Sequence, residues 1–77
     1  MNRNRRKQLQ AISDQLAQLM DELLEVYEQE SEAFENLPES FQYGERGEAM
    51  EEAMSNIEDA GAAVDEAIRS IEQAIEQ

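Results

Sequence analysis

Cysteine, histidine and tryptophan are absent from the 77 residues, and proline occurs once. Without cysteine there is no disulfide and no thiolate, and without histidine the commonest metal ligand and general base is missing. No cofactor is expected, and a cytoplasmic setting is the natural expectation. Long hydrophobic runs are lacking as well, since no stretch approaches the roughly 20 apolar residues that a membrane span requires. The basic start at Arg3, Arg5, Arg6 and Lys7 leads into alternating apolar and polar residues, unlike a signal peptide. Cations are scarce elsewhere: from Gln8 onward only Arg46 and Arg69 face all 19 acids, a net of −17. Such a body is expected to avoid nucleic acid and anionic membrane and to seek basic protein surfaces.

What the sequence has in abundance is helical periodicity. Met50 to Gln77 is one heptad written four times: Met50, Ile57, Val64 and Ile71 open the units, alanine holds the fourth place at 53, 60, 67 and 74, and Met54, Gly61, Ile68 and Ile75 hold the fifth. That pattern predicts a helix with one apolar face from about 45 to 76. Alanine, and still more Gly61, allows a neighbouring backbone to come close. An earlier helix, from about 4 to 35, carries Leu9, Ile12, Leu16, Leu19, Leu23 and Val26 at alternating spacings of three and four, and Met20, Leu24, Tyr27 and Phe34 widen this stripe. Cations at its start oppose the helix dipole, which predicts fraying there. Glu30 is the one acid on the seam; it fits a wet end of the bundle, where Arg46 is available to pair with it.

Residues 36–44 break the pattern. Pro38 cannot continue a helix and Asn36 is a suitable C-terminal cap. Pro38, Glu39 and Ser40 can form one short helical turn, Ser40 or Gly44 can cap the next helix, and Leu37, Phe41 and Tyr43 are expected to plug the end of the bundle. Gly47 weakens the start of the second helix. The predicted fold is an all-α, single-domain antiparallel hairpin. Paired numbers summing to about 84 set Leu23 against Gly61, Leu16 against Ile68, Leu9 against Ile75 and Tyr27 against Ile57. The basic arm then lies near Glu72 and Glu76, a more economical role than binding nucleic acid.

A core this small contributes only about 3–5 kcal/mol by itself. Both stripes are also too wide for two helices to bury. The expectation is a homodimer, two hairpins in a four-helix bundle, with the core and dimer seam drawn from Leu16, Leu23, Met54, Gly61, Ile68 and Ile75. In this reading the large residues and alanines of the second helix pack on the first, and the fifth-place column helps form the dimer.

Catalytic chemistry finds no constellation. Ser13, Ser31, Ser40, Ser55 and Ser70 have no base partner, no calcium-loop pattern occurs, and the histidine of di-iron bundles is missing. Paired carboxylates recur at solvent-facing heptad positions, as a solvated face would place them. Met50 and Met54 suit either an adaptable binding surface or the loop end of the core. The acids Glu51, Glu52, Glu58, Asp59, Asp65, Glu66 and Glu72 form one ladder. Over a hairpin of about 45 Å, the body's charge falls at roughly one per 2.6 Å, against 1.7 Å in duplex DNA.

The run Asn36-Leu37-Pro38-Glu39-Ser40, followed by Glu45-Arg46-Gly47-Glu48 and the acidic alanine heptads, resembles a family of small phage and prophage proteins. Its members share a basic start, an acidic helix, a Leu-Pro-Glu-Ser turn and an Arg-Gly-Glu helix entry. The resemblance implies a mobile-element accessory protein, and the family, mostly uncharacterised, supplies no catalytic residues to carry over. The expected function is therefore a non-enzymatic module whose acidic ladder docks on a basic host protein surface, as an inhibitor or nucleic-acid-mimicking decoy. The alternative is a structural or assembly module acting through its apolar seam.

Overall fold

The computed structural model describes all residues from Met1 to Gln77. Three helices follow in order: α1 (Arg3–Glu35), α2 (Glu39–Gln42) and α3 (Glu45–Glu76). There are no strands. α1 and α3 pack along their lengths as a hairpin whose Cα atoms extend 58 × 14 × 12 Å. No helix is long and apolar enough to cross a membrane.

The basic arm is helical from Arg3. Asn2 caps it, its side-chain oxygen accepting a bond of 2.8 Å from the Arg5 amide. At the other end of α1 the backbone stays right-handed, with Asn36 at φ −83° and ψ −6°. Asn36 caps the helix, its backbone N–H donating to the Glu32 carbonyl at 3.0 Å, and the Gln42 side-chain nitrogen donates to the carbonyls of Leu37 at 3.0 Å, Phe34 at 3.3 Å and Glu35 at 3.5 Å. The Pro38 carbonyl starts α2 by accepting from Phe41 at 2.8 Å. Gly47 lets this turn fold back onto α3. It is buried, and a Cβ there would stand 2.7 Å from the Gln42 Cα and closer still to its carbonyl.

The seam of α1 differs from the expected one. Leu9, Leu16 and Leu23 are shared, but the alternate positions facing α3 are Ser13, Met20 and Tyr27. Ile12, Leu19 and Val26 stand to one side, 45%, 52% and 50% exposed. Ser13 is the only buried side chain of α1. Both sets alternate by three and four, so period alone does not separate them; the position of the partner helix does.

A second correction concerns α3. The fifth-place column, Met54, Gly61, Ile68 and Ile75, lies half-buried against α1 together with Met50, Ile57, Val64 and Ile71. The alanines flank this seam, with Ala60 and Ala67 exposed. Alternation by three and four between these two large columns centres the helix face on them and leaves the alanines off centre. Gly61 does not draw the backbones together: an added Cβ would meet only Met20 sulfur and methyl, at ordinary contact distances of 3.7 and 3.8 Å.

Two local expectations also fail. Phe41 and Tyr43 are 52% and 79% exposed, so of the three proposed plugs only Leu37 turns inward. Glu30 is half-buried on the seam but makes no ion pair with Arg46, since the one ion pair joins Arg69 to Asp65. The arm does lie at the end of α3, as expected, held by a hydrogen bond: Arg6 Nε donates to the Ile75 carbonyl at 3.1 Å, meeting an otherwise orphan acceptor.

No apolar side chain is fully buried. The accessible surface is 5998 Å². A globular chain of this mass is expected to expose roughly 4,800 Å².

Candidate functional site

The acidic ladder arises because α3 carries an acid in every heptad beside the half-buried column. Glu51, Glu58, Asp65 and Glu72 recur every seven residues, about 10.5 Å apart along the axis. Glu52, Asp59 and Glu66 form the next column outward. All of these except Asp65 are exposed. Asp65 is half-buried and bonds Arg69 at 2.9 Å, so the ladder contains one neutralised rung. No group of three acids converges as a metal site would require.

At mid-length the ladder borders an apolar groove of about 400 Å³. Met20, Leu23, Leu24 and Tyr27 line it from α1, Ile57, Gly61 and Ala62 from α3, and Asp21 and Glu58 stand at its rim. Gly61 forms part of its floor, beside the Met20 thioether. The contacts between the helices, Gly61 with Met20 and Arg6 with the Ile75 carbonyl, pair numbers that sum to 81, close to but not at the expected 84. Tyr27 titrates above its ordinary range, through hydrogen bonding to Glu58 first, then the negative charge of that carboxylate, with a further contribution from desolvation.

The groove also fixes the two faces of the hairpin. Leu24 and Glu58 share it, so the flank of α1 bearing Leu24 and the acidic flank of α3 lie on the same side. Successive residues turn by 100°, which places the Ile12, Leu19 and Val26 column on the opposite side, with the alanine column of α3. One face thus carries the acidic ladder, and the other carries an apolar column with Glu22 beside it and Arg5 at its end.

Of the expected seam residues, Leu16, Leu23, Met54, Gly61, Ile68 and Ile75 all lie half-buried between α1 and α3. The acids expected to meet a partner form the outer flank. Sequence reasoning missed Gln42, Arg69 and the groove. The spacing of Asp65 and Arg69, four residues apart on a helix, was a usable signal for that ion pair. No local pattern marks Gln42, because its three carbonyl neighbours are brought to it by the fold of the turn.

No family model, curated protein or solved structure matches the chain.

Proposed function

We propose that this chain is a non-enzymatic, cytoplasmic protein-binding module that pairs with itself into a four-helix bundle and docks its acidic flank on a basic protein surface. The observation that supports this reading most is the separation of faces: exposed carboxylates along one side of α3, with the side bearing Ile12, Leu19 and Val26 turned away from them. A binding partner can then be met by one face while the other is engaged in self-association.

A nucleic-acid-binding host factor suits the acidic flank. Residues 22–62, the half of the hairpin nearest the loop, carry thirteen acids and one cation, a net of −12. Half of the 58 Å length then holds one net charge per roughly 2.4 Å, near the 1.7 Å of duplex DNA. The likeness of the Leu-Pro-Glu-Ser turn to phage proteins points the same way, toward an inhibitor or decoy. The competing assembly-module reading draws on the exposed Ile12, Leu19 and Val26.

Charge reversal separates the two. Lysine at positions 51, 58, 65 and 72 should abolish capture of a basic host protein, and added duplex DNA should compete with the unaltered chain for that protein. Undiminished capture by the reversed variant would sink the decoy reading in favour of the apolar face.

A further inference from the structure

The face opposite the acidic ladder carries an apolar column, with Glu22 beside it and Arg5 at its end, and nothing within the chain covers it. Ile12, Leu19 and Val26 are each about half exposed, and beside them Ala60 and Ala67 are open to solvent. We propose that a second copy of this chain covers this face, lying antiparallel, with the two loops at opposite ends of the bundle. The inference rests on the self-association proposed above and adds the surface, the orientation and a role for the basic arm.

Area supports a second copy. The accessible surface exceeds the value expected for a globular chain by roughly 1,200 Å², and a face of 58 by 14 Å offers about 800 Å², the burial per partner in an ordinary stable interface. The residue pattern is self-complementary under a two-fold axis. With Leu19 of each copy meeting at the axis, Ile12 of one faces Val26 of the other, and Ala60, Ala63 and Ala67 of both copies gather near the axis. The leucine-bearing helices then stand apart while the alanine-bearing helices approach closely.

Charge decides the orientation. Residues 1–21 and 63–77, the half away from the loop, carry five cations and six acids, a net of −1, whereas residues 22–62 carry −12. Parallel hairpins would set −12 beside −12 along half their length. Antiparallel hairpins set −12 beside −1 at both ends, and the repulsion is correspondingly smaller. Arg3, Arg5 and Lys7 make no ion pair within the chain. In the antiparallel pair they lie beside the acidic loop end of the other copy, which gives the arm an intermolecular role beyond the Arg6 cap.

Because the chain has no cysteine, single-cysteine variants test this cleanly. Leu19→Cys in the full chain, oxidised mildly at micromolar concentration, should form a disulfide-linked dimer in high yield, with helicity by circular dichroism unchanged. Arg5→Cys treated alike should not cross-link, since the two positions lie near opposite ends, but mixed with Ala33→Cys it should give the mixed dimer. A parallel pairing would set Leu19 against alanines, so a dimer without the Leu19→Cys cross-link overturns the orientation. Efficient Arg5→Cys homodimer cross-linking does the same. A monomer mass for the unaltered chain overturns the self-association reading itself. If Leu19→Cys loses helicity, Ile12→Cys mixed with Val26→Cys carries the same decision.

Discussion

A methyl group added at Gly47 would collide with the backbone of Gln42, whereas one added at Gly61 would meet only the flexible end of Met20 at contact distance. The two glycines therefore predict opposite outcomes. Gly47→Ala should destabilise the hairpin by about 1–3 kcal/mol as the turn is forced off α3. Gly61→Ala should stabilise it by about 0.5–1 kcal/mol, because glycine is costly inside a helix. Thermal midpoints of the two variants check both signs, and a midpoint lowered by Gly61→Ala would mean that the groove must stay open for packing. Gln42→Ala should cost about 1 kcal/mol by removing the side-chain donor to the carbonyls of Leu37 and Glu35 at the turn. Tyr27 has its own signature. Its folded pKa is raised, so the contribution from this group is complete below the ordinary tyrosine range and is lost as pH rises through the folded value. Glu58→Gln should bring the titration of Tyr27 back toward that ordinary range, followed by tyrosinate absorbance with Tyr27→Phe as the control.

Element by element, the helices and the break between them were legible in the sequence, because four heptads and a lone proline state them directly. The side of α1 that faces α3 was not. Leu9, Leu16 and Leu23 belong to both possible seams, and Ser13, a polar residue, holds the buried place that apolarity would have assigned to Ile12. Burial there is set by how closely α3 approaches. The acidic ladder could be read from spacing alone, while its bordering groove required knowing that Gly61 stands beside Met20 and Tyr27. The end of α3 yields a prediction at this scale. Arg6→Ala should free the Ile75 carbonyl, and amide exchange should quicken in the last turn of α3 while mid-helix amides stay protected. Uniformly faster exchange would show that Arg6 supports the whole hairpin.

For the whole molecule, the −17 body sets how stability responds to solution conditions. Added salt screens the repulsion and mild acidification titrates it, so the thermal midpoint should rise in both cases. A midpoint that fell in both would mean that specific ion pairs outweigh the general repulsion, although the folded chain holds only the Arg69–Asp65 pair. The same charge makes self-association informative, because an acidic chain associates only where apolar burial exceeds repulsion. With no fully buried apolar side chain and the Ile12, Leu19 and Val26 column exposed, the single hairpin lacks the core that a second copy would supply. Sedimentation equilibrium at micromolar concentration and moderate salt tests this most directly. The account predicts a mass of twice 8.8 kDa, and a clean 8.8 kDa species across the concentration range would contradict it.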